Sequence, residues 1–242
     1  MTNTQNSTSH AIISQPMIWT ASFLIHLCQK NSNTIVLKKQ LCYTRYMPKI
    51  VDHEKQRKRI AEATWTVIMR DGIEKATVRN IAKEAGMSAG ALRYYFTSQS
   101  ELLAFSMKLV SERVRERVEV IPPSIPPLEG VKRCLLELLP LTDETKKEME
   151  VWLVFTQRAL WDPALQPLSE QIYHQLQTAM KRLLELLRDL GLLRSDVSIE
   201  LETERLYALV DGLAMHGIMQ PGKLSPSQIE EIIEYHLRSI CR

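Results

Sequence analysis

Apolar residues recur at intervals of three and four along most of the chain from residue 52 onward, which is the spacing of amphipathic helices. The first helix is predicted from Asp52, which can cap its start, to Arg70. Trp65 lies at the margin of its buried stripe. That stripe comprises Ile60, Ala63, Thr64, Val67 and Ile68. Because no segment alternates with a period of two over several strands, the pattern predicts an all-α protein.

Two short helices follow this first helix, and a tight glycine turn separates them. Thr77 can cap the first of the pair, in the segment VRNIAKEAG, and Gly86 ends it. Ser88 can cap the next helix, which spans Ala89–Phe96. This arrangement matches the helix-turn-helix unit, in which the second helix of the pair enters the major groove of DNA.

Longer helices make up the rest of the chain. The first is predicted over Ser100–Val120, and the segment IPPSIPPLEG then interrupts the chain because proline cannot occupy a helix interior. The remaining predicted helices are Leu128–Leu139, Asp143–Leu160, Pro163–Leu190, Ile199–Met219 and Pro226–Cys241. The pattern therefore predicts a small helical head, residues 47–99, and a larger helical body, residues 100–242.

Charge is distributed unevenly between these two parts. The chain of 242 residues has a net charge of +3. Residues 47–100 hold ten basic and six acidic residues, whereas residues 101–242 hold seventeen basic and twenty-two acidic residues. The basic balance of the head fits binding to a polyanion. The run of Lys55, Arg57, Lys58 and Arg59 lies in early helical turns, where the helix dipole favours acids. We therefore expect these cations to face an external anion, with a solvated helix face as the alternative.

Cysteine and histidine usage argues against a metal site or an enzyme. The four cysteines show no Cys-x-x-Cys pair and no metal-ligand spacing with histidine, so reduced thiols, a cytoplasmic location and the absence of metal and cofactor are expected. No Gly-x-Ser-x-Gly elbow, metal motif or phosphate loop accompanies the histidines. The cysteines are Cys28, Cys42, Cys134 and Cys241, and the histidines considered are His53, His174, His216 and His236.

Residues 1–46 show no sustained helical period and are expected to form a disordered extension. Their apolar patch, Ala11–Cys28, is preceded by no Lys or Arg and is interrupted by polar residues, which argues against a signal peptide or a membrane anchor. A second interpretation is that the functional protein begins at Met47. Neither interpretation changes the prediction for the head.

The helix Ala89–Phe96 carries the candidate chemistry for DNA. Its small first residues let the backbone approach a phosphate or a base edge, and Arg93 can present a guanidinium fork to guanine. Tyrosine hydroxyls can bond to phosphate, although we expect one of Tyr94 and Tyr95 to pack between helices instead. The candidate DNA-binding residues are Thr77, Val78, Arg79, Ser88, Ala89, Gly90, Ala91, Arg93, Tyr94 and Tyr95.

The body offers a candidate pocket and a candidate dimer interface. Large side chains that can line an apolar pocket are Trp152, Phe155, Tyr173, Tyr207 and His216, although residues of this kind at helical spacing more often form core. The last two helices fit a dimer contact in which Gly212 and Gly217 permit close approach. Burial within one protomer would use the same apolar residues. These are Leu206, Leu209, Val210, Leu213, Met215, Ile229, Ile232, Ile233 and Leu237.

The run TVRNIAKEAGMSAGALRYYF, followed by SQSELLAFSMKLV, resembles the signature of the tetracycline-repressor (TetR) family over about residues 52–110. ALRYYF and the later LVDGLAMHGIM resemble the branch that includes the choline-responsive betaine regulators. The resemblance implies a three-helix DNA-binding head, a fourth helix linking it to a larger body, homodimerisation and a small-molecule effector. Two residues depart from the pattern of the family. Arg93 stands where many members carry Tyr, and Gln99 stands where a phosphate-binding Lys is frequent.

These observations predict a homodimeric transcriptional regulator, most simply a repressor, that binds a palindromic operator in double-stranded DNA and responds to an unknown small molecule. No membrane partner is expected. The alternative is a helical protein-interaction module whose basic head binds an acidic partner.

Overall fold

The computed structural model describes residues 49–242, with side chains from His53 onward, so the predicted extension, residues 1–46, lies outside the described residues. Helices account for most of the described chain, which contains no strand, and the prediction of an all-α fold is confirmed. The helices are α1 (Lys49–Asp71), α2 (Val78–Glu84), α3 (Ala89–Tyr95), α4 (Gln99–Glu119), α5 (Pro127–Leu136), α6 (Asp143–Ala159), α7 (Gln166–Asp189), α8 (Ile199–Met219) and α9 (Pro226–Ile240).

Two helix starts differ from the predictions by three residues. Because α1 already begins at Lys49, Asp52 lies inside it and does not cap it. Helix α7 begins at Gln166 and not at Pro163, because the Asp162 carboxylate accepts a hydrogen bond from the backbone N–H of Ala164 and holds the preceding residues in a turn.

Side-chain caps determine where the two short helices of the head begin. The hydroxyl of Thr77 accepts the backbone N–H of Asn80 at the start of α2, and the hydroxyl of Ser88 accepts that of Ala91 at the start of α3. Gly86, between the two helices, has a φ of 67°, a conformation that glycine adopts without steric cost. These three local interactions produce the sharp turn of the helix-turn-helix unit.

The head has its own hydrophobic core, in which the stripe of α1 packs against α2, α3 and the start of α4. Its buried members are Ile60, Ala63, Val67, Ile68, Ala76, Ile81, Ala82, Ala85, Leu92, Phe96 and Leu102. The prediction that Trp65 lies at a margin is wrong. Trp65 is only 4% exposed, because together with Ala61 it packs on a second face of α1 into the core of the body.

The body core uses most of the apolar residues that were candidates for a dimer interface. Their side chains are buried within the protomer, so they are not available to a partner. These residues are Leu206, Val210, Leu213, Ile229, Ile233 and Leu237. Gly217 likewise permits an internal contact, since a Cβ there would lie 2.5 Å from Cγ of Pro140, whereas one at Gly212 would meet nothing within 4 Å. Among the described helices, none has the length and apolar character of a transmembrane span.

Candidate nucleic-acid interface and body cavity

Helix α3 presents its polar edge to solvent. Leu92 and Phe96 anchor the helix in the head core, while Arg93 and Tyr94 point outward, with Tyr94 71% exposed. The small residues at its start, Ala89, Gly90 and Ala91, are also exposed. The candidate recognition helix therefore offers one guanidinium and one phenol on a surface with little steric obstruction.

The two tyrosines of α3 have different environments. Tyr95 is half-buried, and its ring lies 4.9 Å, centroid to centroid, from the ring of His53 on α1. Tyr94 meets the edges of both rings, at 5.9 Å from His53 and 5.2 Å from Tyr95. Tyr95 is thus the tyrosine that packs between helices, and Tyr94 is the one free to contact a ligand.

The remaining candidate DNA contacts lie near the starts of α2 and α3. Thr77, Arg79 and Ser88 are exposed, but the hydroxyls of Thr77 and Ser88 already accept backbone N–H groups as caps. Val78 is half-buried and packs against the head core. Arg79 forms no ion pair within 4 Å with another described residue, so its charge remains available.

Arg57 is not placed for an external anion, contrary to the expectation for the basic run on α1. Its guanidinium lies over the rings of Phe96 and Phe105, at 4.2 and 4.7 Å from their centroids. It also donates to the backbone carbonyl of Tyr95 at 2.8 Å and to the carboxylate of Glu101 at 3.3 Å. Arg57 therefore joins α1 to the end of α3 and the start of α4.

Helix α4 connects the head to the body through several polar contacts. The side chain of Gln99 donates to the carbonyl of Ala76 at 3.0 Å, so this residue, at the position where a phosphate-binding Lys was noted as common, has an internal partner. At the same end of α4, the Ser100 hydroxyl donates to Asp162, in the turn between α6 and α7, at 2.5 Å. At the other end, Arg117 forms a two-point ion pair with the fully buried Glu148 of α6.

A cavity of about 210 Å³, partly open to solvent, lies in the body, and α4 forms one of its walls. Of the five predicted pocket residues, Trp152 and Tyr207 line it. Phe155 is buried in the core and does not reach the cavity, while Tyr173 and His216 are exposed on the protomer surface. The lining that the sequence did not single out includes Met107, Val110, Ser111, Val114, Arg115, Val118, Leu138, Gln175, Leu176 and Asp211.

Burial raises the pKa values of three ionisable groups on the cavity wall, Asp211, Cys134 and Tyr207. Burial raises the pKa of Asp211 to about 6, and it raises that of the Cys134 thiol, with a smaller contribution from Glu137, to about 11. Asp211 stands out in the sequence as a lone acid within the apolar stretch LVDGLAM, a signal that could have identified it. Among the described residues, no group of three or more potential ligands is arranged to hold a metal ion.

Comparison with known proteins gives consistent matches to both parts of the chain. Residues 60–104 match the description "Bacterial regulatory proteins, tetR family", and residues 127–242 match "BetI-type transcriptional repressor, C-terminal". The HTH-type transcriptional regulator PksA of Bacillus subtilis is 46% identical over 196 residues, which cover 81% of this chain and 94% of that protein. BetI of Vibrio vulnificus is 27% identical over 195 residues, 79% of this chain and 95% of that protein.

Solved structures agree with the fold. A transcriptional regulator from Rhodococcus sp. matches with a TM-score of 0.67 and 27% identity, over 76% of this chain and 95% of that one. A regulator from Saccharomonospora viridis, crystallised with choline, matches with a TM-score of 0.69 over 78% of this chain and 99% of that one. Because the two sequences are only 23% identical, this match shows a shared fold and nothing more.

Proposed function

The chain belongs to the TetR family of bacterial regulatory proteins, and from this membership we propose that it acts in the cytoplasm as a homodimeric repressor that a small-molecule effector releases from a palindromic operator. The observation that carries the proposal is the capped helix α3, which is anchored by Leu92 and Phe96 and presents Arg93 and Tyr94 outward. A helix held in this way can enter the major groove of DNA.

Base recognition is assigned to Arg93. Its guanidinium can donate two hydrogen bonds to O6 and N7 of guanine, a contact worth about 1–3 kcal/mol of discrimination. Tyr94 and Arg79 are assigned to phosphate contacts, which position the head without reading sequence. Thr77 and Ser88 then act chiefly through the caps that shape α2 and α3.

Dimerisation is assigned to the exposed faces of α8 and α9. Exposed positions on α8, together with the half-buried Gly212, recur at alternating intervals of four and three, and a Cβ at Gly212 would meet nothing within 4 Å. This is the spacing of a helix that packs lengthwise against a partner. The stripe comprises Leu201, Arg205, Ala208, Gly212, Met215 and Met219, and Tyr235 adds an exposed ring on α9. A two-fold dimer would let its heads read half-sites about 34 Å apart.

Effector control is assigned to the body cavity. Helix α4 contributes Met107, Val110 and Val114 to the cavity wall. At its head end, Glu101 of the same helix pairs with Arg57, and Gln99 donates a hydrogen bond to Ala76. A ligand shifts an equilibrium only through different affinities for two arrangements. A molecule that fits the cavity better when α4 is displaced would therefore change the spacing of the two heads.

The proposal can be tested with an operator enriched from randomised duplexes and measured by fluorescence anisotropy at several salt concentrations. Wild-type protein should bind with two protomers per palindrome, and Arg93→Ala should lose about 1–3 kcal/mol per half-site. Arg188→Ala, which removes an exposed arginine of α7, serves as the charge control. The proposal would be overturned if the protein bound all duplexes with similar affinity and Arg93→Ala left that affinity unchanged.

A further inference from the structure

The body cavity is small and almost entirely hydrocarbon. Its volume of about 210 Å³ lies below the range of roughly 300–1,000 Å³ that holds drug-sized ligands. Aliphatic side chains from α4 and α7 make up nearly half of its wall, among them Val110, Val114, Leu176 and Met180. A molecule that fills this space must therefore be small and present a mainly apolar surface.

The cavity wall carries two charged residues, Asp211 and Arg115. The side chain of Arg115 is 46% exposed and lies 3.6 Å from a carboxylate oxygen of Glu119 on the next turn, so its charge is compensated at the solvent side. Asp211 is half-buried, and no cation among the described residues lies within ion-pair distance of its carboxylate. The cavity therefore contains one negative charge without a partner in the described part of the chain.

Tyr207 lies near this carboxylate, and a second aromatic residue lines the same cavity. Tyr207 is one turn before Asp211 on α8, and both line the cavity together with Trp152 of α6. Burial, reinforced by the nearby charge of Asp211, raises the pKa of Tyr207, so its hydroxyl stays a neutral group that can accept or donate a hydrogen bond. Aromatic rings of this kind attract cations when water is excluded.

We propose that the cavity binds a small apolar primary amine, whose hydrocarbon part fills the space between α4 and α7 and whose ammonium group pairs with Asp211. This inference rests on the effector role assigned to the cavity and specifies the chemical class of the effector. An ammonium donates charge-assisted hydrogen bonds to a carboxylate, which are about twice as strong as bonds between neutral groups. A carboxylic acid would be repelled by Asp211, and an alcohol would supply only a neutral donor.

The test uses four probes that separate the head group from the hydrocarbon: n-octylamine, 1-octanol, octanoic acid and choline. Binding to the full-length protein is measured by isothermal titration calorimetry at pH 7.5 without DNA. Octylamine should bind at least about tenfold more tightly than octanol, which corresponds to about 1.4 kcal/mol. Asp211→Asn should abolish this preference, because octylamine loses the charge of its partner. Asp189→Asn, which removes an exposed carboxylate of α7, should retain the preference for octylamine over octanol.

Three results would overturn the inference: tightest binding of octanoic acid or choline, an amine preference that survives Asp211→Asn, or binding of none of the four probes. Circular dichroism and thermal unfolding establish that the variants are folded. Because no DNA is present, these results leave operator binding untouched. Failure of the amine assignment and failure of the proposed regulatory function are therefore distinguished by separate measurements.

Discussion

Arg57 on α1 donates a hydrogen bond from Nη1 to the backbone carbonyl oxygen of Tyr95, the last residue of α3, across 2.8 Å. The carbonyl groups of a last helical turn have no partner within the helix, so this bond satisfies one of them. The same guanidinium is held between Phe96 and Phe105 and is paired with Glu101. One side chain thus joins the end of the candidate recognition helix to α1.

Replacing Arg57 should weaken both stability and DNA binding. Arg57→Met removes a charge-assisted hydrogen bond and the ring contacts, so we expect the free energy of unfolding to fall by about 2–3 kcal/mol. Operator affinity should fall about tenfold, since α3 loses its fixed orientation. Lys58→Met is the control, because it removes an equal charge that forms only an exposed 3.8 Å pair with Glu112. If Lys58→Met lowered the free energy of unfolding and the operator affinity as much as Arg57→Met does, loss of a positive charge alone would explain both effects. Urea unfolding and anisotropy titrations measure the two quantities.

Ser88 allows the capping role to be separated from contact with DNA. Ser88→Ala removes the cap of α3 and should lower the free energy of unfolding by about 1 kcal/mol. Ser88→Asp keeps a capping oxygen, so stability should stay close to that of the wild type, but its negative charge at the DNA-facing surface should lower operator affinity about tenfold. Wild-type operator affinity in the aspartate variant would place Ser88 away from the duplex.

Gly217 should be needed for packing inside the protomer. A Cβ at this position would lie 2.5 Å from Cγ of Pro140, so Gly217→Ala should destabilise the fold by about 1–2 kcal/mol despite the higher helix propensity of alanine. Gly212→Ala is a matched control on the same helix, because a Cβ there meets nothing within 4 Å. Urea unfolding of the two variants should give shifts that differ in size, and equal shifts would contradict the Pro140 contact.

Gly212 tests the proposed dimer. Gly212→Arg places a long cation in the middle of this stripe of α8, at a position where a Cβ meets nothing within 4 Å of the protomer. Light scattering should therefore report a monomer, and binding to the palindromic operator should weaken strongly because the half-sites are no longer read together. Glu170→Arg, on the exposed surface of α7, should leave the dimer intact. A dimeric Gly212→Arg protein would exclude this face as the interface.

Helix positions and the helix-turn-helix unit followed from sequence because they depend on local signals. The caps at Thr77 and Ser88 and the turn at Gly86 act over three or four residues, and the structure places all three as predicted. The outward position of Arg93 follows from the burial of Leu92 and Phe96 on the same short helix.

Contacts between distant segments did not follow from sequence. Nothing near Arg57 indicates that it meets Tyr95, which is 38 residues away. The cavity was missed for a related reason, since aliphatic residues that line a cavity have the same helical spacing as residues that fill a core. Size and aromatic character are no better guide, since Tyr173, a predicted pocket residue, lies on the surface.

The buried carboxyl of Asp211 should make the stability of the unliganded protein depend on pH. Burial raises its pKa in the folded state to about 6 from an ordinary 3.8, so the folded protein takes up this proton first as the pH falls. The carboxylate therefore destabilises the fold above pH 6, and the penalty is relieved between pH 6 and 4. After discounting for partial exposure, Asp211→Asn should raise the free energy of unfolding at pH 8 by about 1–2 kcal/mol, and the gain should shrink by about half at pH 5. Urea unfolding at both pH values, with Asp189→Asn as control, measures this difference. A gain independent of pH would show that the carboxyl of Asp211 is solvated in the folded protein.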